Sequence, residues 1–188
     1  MMKQIEKMQQ VKQRANCLVS AVVVQQQIQR MAQEITAVLA DKNPLILTVM
    51  KGGFIFTGHL LTLLDFPLEV DYLHATRYAN QLSGQHLIWK AEPDIALDNR
   101  YVLVVDDILD EGTTLAEILH ALESQGAAKI YTAVLVNKQH QRKARPNWTP
   151  DFMGVEVEDR YLFGFGMDYK GYWRNANGVY AVADEDAV

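Results

Sequence analysis

The chain of 188 residues has a single cysteine, Cys17, so an intrachain disulfide is impossible and a reducing compartment is expected. Basic residues are not in excess: the net charge is −5, so no broad positive surface for nucleic acid is predicted. No apolar run approaches the roughly 20 residues that a membrane-spanning helix needs, and the polar, Gln-rich start has no signal-peptide pattern. These absences predict a cytoplasmic protein that binds neither nucleic acid nor a membrane.

What the chain does have is enough apolar sequence, 49% of its residues, for one ordinary core. Short apolar segments predict strands at residues 43–50, 68–75, 101–105, 129–136, 152–157 and 178–183. Apolar residues at helical spacing predict helices over 21–40, capped by Ser20, within 51–64, and over 114–124. This alternation predicts an α/β fold with a largely parallel sheet that is covered on both faces.

The carboxyl ends of these strands carry most of the polar signals in the chain. In open α/β sheets, ligands bind beyond the carboxyl ends of the strands. Lys51 and Gly52 follow the first apolar strand, residues 106–114 follow the strand at 101–105, and Lys138 follows the strand at 129–136. We therefore expect these residues to lie along one edge of the sheet.

The segment at residues 102–114, VLVVDDILDEGTT, combines four carboxylates with a Gly-Thr turn into a helix. Backbone N–H groups and hydroxyls of Gly112, Thr113 and Thr114 at a helix N-terminus are suited to a phosphate monoester. Asp106 and Asp107, one step earlier, are suited to sugar hydroxyls or to a hydrated Mg²⁺. A ligand that matches both is a sugar with a phosphate at one end and metal-bound anionic oxygens at the other.

This segment resembles the signature for 5-phosphoribosyl 1-diphosphate in the type I phosphoribosyltransferases. The segments VMKGGFIFTGHLL (49–61) and DRYLFGFGMDYKGYWRN (159–175) resemble a Lys-Gly-Gly loop and a purine-site segment of the hypoxanthine-guanine phosphoribosyltransferases. The resemblance covers about residues 46–182. It implies transfer of a phosphoribosyl group to N9 of a 6-oxopurine, hypoxanthine or guanine, with Mg²⁺ as cofactor.

The resemblance also implies the architecture. We expect the type I phosphoribosyltransferase fold: a largely parallel central sheet flanked by helices, with a small hood built from the N- and C-terminal segments. The expected boundaries are one domain over 1–188, a core of about 38–150, and a hood from about 1–37 and 151–188. A homodimer or homotetramer is expected by the same resemblance.

For the sugar-phosphate half of the site, the resemblance implies roles for the acidic segment. Asp106, which stands where many relatives have Glu, and Asp107 would hold the ribose hydroxyls with Mg²⁺ nearby. Asp110 would be the general base near purine N7. The loop 110–114 would bind the 5′-phosphate, with the side chain of Glu111 facing solvent.

For the rest of the site, the implied roles fall on residues spread along the chain. Lys51 and Gly52 would meet pyrophosphate, in a loop where the family often has a non-proline cis peptide, and Arg174 would also reach pyrophosphate. Lys138 would read the purine 6-oxo group. Further positions are Tyr161, which would stack on the base; Leu162, whose backbone would face the purine 2-position; Asp168, a second Mg²⁺ ligand; and Arg77 and Tyr78, in a loop that would close over the site. The five histidines show no metal-ligand spacing.

Three other classes of protein share some of these features. A response-regulator receiver also has adjacent acids at a strand end, but it would need another acid at the end of a later strand, with a lysine beyond it, and the apolar strand before Lys51 ends without an acid. A non-catalytic regulator of the same fold would be expected to carry a basic surface, whereas this chain is acidic. A phosphoribosyltransferase for another base is opposed by Lys138, which favours a 6-oxo group over adenine.

Overall fold

The computed structural model describes residues 2–78 and 86–187, with the backbone alone at Met2, Arg77, Tyr78 and His86. In chain order the elements are α1 (Met2–Arg14), β1 (Asn16–Ser20), α2 (Ala21–Leu39), β2 (Leu45–Val49), α3 (Phe54–Leu61), β3 (Glu69–Tyr78), β4 (His86–Ala91), β5 (Tyr101–Leu109), α4 (Thr113–Ser124), β6 (Lys129–Gln139), β7 (Phe152–Glu158), β8 (Leu162–Phe163), β9 (Gly178–Ala181) and a final 3-10 turn (Asp184–Asp186). Within the described ranges, no helix is both long and apolar enough to span a bilayer.

The main sheet has six strands in the order β4-β3-β2-β5-β6-β7. Every neighbouring pair is parallel except β3 and β4, which are antiparallel. The α/β prediction with a largely parallel sheet is confirmed. Because β2, β5 and β6 run in the same direction side by side, their carboxyl ends meet at one edge of the sheet.

Helices cover both faces of this sheet, as expected for buried parallel strands. On one face, α2 and α3 pack their apolar side chains, such as Ile28, Ile35 and Phe56, against Leu103 and Ala133. On the opposite face, α4 packs on the alternate residues of the same strands. The alternation of strand side chains between the two faces therefore builds two apolar layers from one sheet.

A second, three-stranded antiparallel sheet in the order β1-β9-β8 joins the N- and C-terminal parts of the chain, as the hood prediction requires. Helix α1 packs on it through Met8 and Val11, which are buried against Phe163 and Tyr169. The indole Nε1 of Trp173 donates to the Met8 carbonyl over 2.8 Å. These contacts brace the C-terminal segment that carries Asp168 and Arg174.

Two segments that the expected boundaries assign to the hood also contact the main sheet. Helix α2, placed in the hood by the boundary at residue 37, packs between the two sheets, in one cluster with Leu103 and Ala133 of the main sheet and Val179 and Ala181 of β9. Strand β7, placed in the hood by the boundary at 151, pairs in parallel with β6 at the edge of the main sheet. Both segments are apolar on the side that faces the main core, and burial there outweighs proximity in sequence to the terminal segments.

Two strands run further than the sequence predicted. Strand β5 was predicted to end at 105, but Asp106, Ile108 and Leu109 continue the ladder with β6. Strand β6 was predicted to end at 136, but Asn137 and Lys138 pair with β7. Asp106, Asp107 and Lys138 thus lie within strands instead of in the loops that follow them, because backbone pairing with a neighbouring strand extends past the apolar residues.

Candidate active site

A cleft of about 320 Å³ opens at the carboxyl ends of β2, β5 and β6. It is lined from the main sheet and from the hood, so it lies where the two sheets approach each other. The predicted site residues that line it are Gly52, Asp106, Asp107, Asp110, Lys138, Tyr161, Leu162, Asp168 and Arg174. The structure therefore brings together residues that are up to 122 positions apart in the chain, from 52 to 174.

The acidic pair forms the floor of this cleft. Asp107 is buried, Asp106 is half-buried, and the Asp107 backbone N–H donates to Asp106 Oδ1 over 2.9 Å. Burial raises the pKa of both carboxyls, and the charge of Asp107 raises the pKa of Asp106 further. Gly52 lies against Asp107 so closely that a Cβ at that position would overlap the carboxylate. Two crowded carboxylates open to a cleft favour a cationic or hydrogen-bond-donating ligand.

Asp110 lies at the end of β5 within a network of basic side chains. Lys138 Nζ donates to its Oδ2 over 2.8 Å, and His140 Nε2 lies 2.7 Å from its Oδ1. Lys138 also lies 3.3 Å from the carboxylate of Asp159. Partial burial acts to raise the pKa of Asp110, but the bonds from Lys138 and His140 outweigh it, so the pKa lies below its ordinary value.

Three residues of this network, Asp110, His140 and Asp159, offer ligand-type atoms within 4.8 Å of one another. The position between the two carboxylates is taken by the Lys138 ammonium, at 2.8 Å from Asp110 and 3.3 Å from Asp159. Lys138 is itself buried, with a side chain 10% exposed. The carboxylate charge is thus offset by a protein cation, and the arrangement is an ion-pair network.

The segment after β6, predicted only as a basic loop, docks on the Asp110 turn. Lys143 Nζ donates to the carbonyls of Leu109 and Asp110 and to Asn137 Oδ1, at 2.6, 2.8 and 2.9 Å. Burial lowers the pKa of Lys143. The sequence did not predict a role for His140 or Lys143, because each depends on tertiary contacts with the Asp110 turn and neither belongs to a spacing pattern.

A second cleft, of about 370 Å³, adjoins the first and is formed by the turn from β5 into α4. Gly112 is the N-terminal cap of α4 and has a left-handed φ of 77°. Thr113 begins the helix, one residue earlier than predicted, and Thr114 also lines the cleft. The side chain of Glu111 is 53% exposed, and the residue also lines this cleft. A helix N-terminus at a glycine turn is a suitable place for a phosphate group.

Asp168 and Arg174 are ion-paired across a turn in the hood. Arg174 Nη1 also donates to the Gly166 carbonyl over 2.6 Å, and the Gly171 N–H donates to Asp168 Oδ2 over 2.7 Å. The turn therefore holds one carboxylate and one guanidinium above the acidic pair. Tyr161, 39% exposed, stands beside the same cleft.

The remaining predicted site residues are placed less directly. Lys51 is exposed, and the cis peptide bond lies between Met50 and Lys51, one bond before Lys51-Gly52. Arg77 and Tyr78 end β3, next to residues 79–85, which are not among those described. Their side chains, and the loop predicted to close over the site, lie outside the described residues.

The chain is similar to known proteins in both sequence and structure. The family model of the phosphoribosyl transferase domain matches residues 21–170. Similar proteins are the hypoxanthine-guanine-xanthine phosphoribosyltransferase of Tritrichomonas foetus, 34% identical over 81% of this chain and 82% of the relative, and the hypoxanthine-guanine phosphoribosyltransferase of Bacillus subtilis, 32% identical over 84% and 87%. A crystal structure of a hypoxanthine phosphoribosyltransferase from Staphylococcus aureus superposes with a TM-score of 0.84 at 23% identity, covering 90% of this chain and 92% of that chain.

Proposed function

This chain belongs to the phosphoribosyl transferase family, and from that premise we propose that it is a purine salvage enzyme. It transfers the 5-phosphoribosyl group from 5-phosphoribosyl 1-diphosphate to N9 of a 6-oxopurine, hypoxanthine or guanine. The products are the nucleoside 5′-monophosphate and pyrophosphate. A cytoplasmic location and a homodimer or homotetramer remain predictions.

The observation that carries the proposal is the meeting of two clefts at Asp110. One cleft contains the acidic pair and Lys138, and the other is the helix N-terminus at Gly112; Asp106, Asp107 and Asp110 line both. A ribose 5-phosphate bound with its phosphate at the helix would direct its hydroxyls toward Asp106 and Asp107. Its C1 would then face the region of Lys138, where a purine can approach.

Lys138 supplies the base preference in this proposal. Its ammonium has only donors, so it pairs with a purine 6-oxo group and not with the 6-amino group of adenine. It is held within the cleft between two carboxylates, Asp110 and Asp159. Tyr161 would stack on the base, and the backbone of Leu162 would face the purine 2-position; both residues line the same cleft.

Asp110 is the proposed general base. A carboxylate near purine N7 takes the N7–H proton, the electron pair stays on the purine, and N9 attacks ribose C1 as the bond to pyrophosphate breaks. The lowered pKa of Asp110 keeps this carboxyl ionised at neutral pH. Arg174, fixed by Asp168 and the Gly166 carbonyl, offers positive charge to the leaving pyrophosphate, to which Lys51 and Gly52 are also assigned.

The acidic residues of the cleft fit Mg²⁺. The burial and mutual repulsion of Asp106 and Asp107 raise the pKa of Asp106, and a hard divalent cation would offset that repulsion. We infer that Asp106, Asp107 and Asp168 hold Mg²⁺, directly or through water. When bound, the ion offsets the negative charge that develops on pyrophosphate. Arg77 and Tyr78 are proposed to belong to a loop that excludes water during the reaction.

The proposal is tested by steady-state transfer to hypoxanthine, guanine, xanthine and adenine, each with excess Mg²⁺ and with EDTA. We expect Mg²⁺-dependent transfer to hypoxanthine or guanine and no transfer to adenine. A preference for adenine would contradict the role given to Lys138, but it would leave the proposed phosphoribosyl transfer in place. The proposed activity would be overturned if the protein transfers the group to none of the four bases. A thermal unfolding transition must show that the protein used in this assay is folded.

A further inference from the structure

His140 is the buried partner of the proposed general base, and the mechanism above leaves it without a role. Its side chain is 5% exposed, and its Nε2 lies 2.7 Å from Asp110 Oδ1. Its other ring nitrogen, Nδ1, lies 3.1 Å from the backbone nitrogen of Arg142. Both ring nitrogens are therefore engaged, one with the side chain of Asp110 and one with the main chain of its own loop.

These two contacts determine where the ring proton lies. A backbone N–H can only donate, so Nδ1 must be the acceptor in the contact with Arg142. In a neutral imidazole the proton is then on Nε2, and Nε2–H donates to Asp110 Oδ1. The loop thus selects the tautomer that makes His140 a hydrogen-bond donor to the carboxylate.

The second carboxylate oxygen of Asp110 has a different partner. Oδ2 accepts from Lys138 Nζ over 2.8 Å, while Lys138 also contacts Asp159. His140 is committed to Oδ1 by its loop, but Lys138 has the purine 6-oxo group as an alternative acceptor under the proposed function. When Lys138 turns to the purine, Oδ2 becomes the oxygen that is free to accept a proton.

We propose that His140 is a positioning residue for Asp110: it holds Oδ1 through Nε2–H and so presents Oδ2 to the purine N–H. This inference rests on the proposed function of the same site. Lys143 supports the arrangement by fixing the Asp110 backbone carbonyl, so that the segment 140–143 holds both the main chain and the side chain of the base. The lowered pKa of Asp110 agrees with a donor at each of its oxygens.

The charged groups around Asp110 determine its pKa and so the position of the acid limb in the pH profile of kcat/KM. Lys138 from β6 and His140 and Lys143 from the following loop face it with donors, while Asp159 and Arg142 form an ion pair beside Lys138. Removal of the His140 donor leaves Lys138 and the partial burial in place. The pKa of Asp110 should then rise, and the acid limb of the kcat/KM profile for the purine should move to higher pH.

The test compares the wild-type chain with His140→Phe, which has no donor, and His140→Gln, whose amide N–H can replace Nε2–H. Gln141→Ala, at an exposed neighbour on the same loop, is the matched control. We expect His140→Phe to lower kcat/KM for the purine about 10-fold or more at neutral pH, the scale of one hydrogen bond to a charged group. The KM for 5-phosphoribosyl 1-diphosphate should stay within about 3-fold, and His140→Gln should recover most of the loss.

A second test uses the wild-type chain, so its outcome does not depend on whether a variant folds. Ring-nitrogen NMR should show His140 with an unprotonated Nδ1 and a protonated Nε2 at neutral pH, and the opposite tautomer would overturn the inference. A wild-type acid limb in His140→Phe would also overturn it, as would a loss that is equal at every pH and shared by His140→Gln. If the wild-type chain transfers the group to a 6-oxopurine, such results would overturn only the role of His140 and leave the proposed function in place. If it does not, the proposed function and the role of His140 both fail.

Discussion

The turn that leads from β5 into α4 should be intolerant of any side chain at Gly112. Gly112 has a φ of +77°, a left-handed conformation that costs an L-residue about 1–2 kcal/mol. A Cβ at this position would lie 2.6 Å from Leu109 Cδ1 and 2.7 Å from Trp148 Cζ3. Overlap with packed side chains typically costs about 1–3 kcal/mol. Gly112→Ala should therefore lower the free energy of unfolding by about 2–5 kcal/mol.

Two other glycines separate these contributions. Gly171 has a φ of +87°, but a Cβ at this position would meet no other atom. Gly171→Ala should therefore show only the cost of the left-handed backbone, about 1–2 kcal/mol. Gly58 lies within α3, and a Cβ at this position would have no neighbouring atom within 4 Å. Because glycine is unfavourable within a helix, Gly58→Ala should stabilise the protein by about 0.5–1 kcal/mol. Urea unfolding at pH 7 measures all three. For a chain of this size, each kcal/mol corresponds to roughly 2–4 °C in Tm, so Gly112→Ala should lower Tm by about 4–20 °C.

The same substitution should weaken binding of 5-phosphoribosyl 1-diphosphate, because the turn lines the proposed phosphate cleft. Isothermal titration with Mg²⁺ present measures this affinity. The reasoning is refuted if Gly112→Ala is no less stable than Gly171→Ala, since the overlap with Leu109 and Trp148 would then have no cost. Unchanged affinity in a destabilised variant would remove this turn from the phosphate site.

Further predictions concern the side chains around the site. Lys138→Ala should weaken purine binding by about 1.5–3 kcal/mol, the value of a charge-assisted hydrogen bond, while affinity for the phosphoribosyl ligand measured by titration changes little. Glu111→Ser should alter that affinity only slightly because the carboxylate is exposed, whereas Thr114→Val should cost about 1–3 kcal/mol; the reverse order would show that Glu111 faces the phosphate. The bonds from Arg142 and Lys138 lower the pKa of Asp159 to about 2, so Arg142→Ala should raise this pKa part of the way toward 3.8 in a carboxyl NMR titration. With a lowered folded pKa, the contribution of Asp159 to stability is present above pH 3.8 and lost as pH falls through about 2, and the variant should show a weaker pH dependence because Lys138 remains.

The sequence predicted the parts of the fold that depend on local pattern. Strand β2 is mostly apolar, β5 begins with the apolar run at 101–105, and α2 has a Ser20 cap and buried residues at helical spacing, such as Ile28 and Ile35. These signals are local, so they are present before the chain folds. The position of the acidic pair at the carboxyl edge followed from strand direction alone.

Elements held by distant partners were missed. Helix α1 is polar apart from a few residues. Two of these, Met8 and Val11, are buried against residues more than 150 positions away, such as Phe163 and Tyr169. Strand β4 exists because it pairs in antiparallel with the end of β3. Neither element has a strong periodic pattern of its own, so tertiary contacts decide its conformation.

Within the site, the sequence could indicate residues that belong to a motif but not those recruited by packing. His140 and Lys143 lie in a segment whose composition indicates only a solvated basic loop. Their roles depend on the loop folding back over Asp110, which brings Lys143 to the carbonyls of residues 109 and 110. A contact of this kind is determined by the path of the loop and leaves no spacing in the sequence.

The most direct test of the account is the single-turnover rate of phosphoribosyl transfer to hypoxanthine in the wild-type chain and in Asp110→Asn. We expect Asp110→Asn to lower this rate roughly 10²–10⁴-fold, the usual scale for loss of a general base. Affinity for 5-phosphoribosyl 1-diphosphate should be nearly unchanged, because the turn at Gly112 remains. An Asp110→Asn variant that transfers at the wild-type rate in the chemical step would contradict the assignment of this cleft as the place where the purine loses its proton.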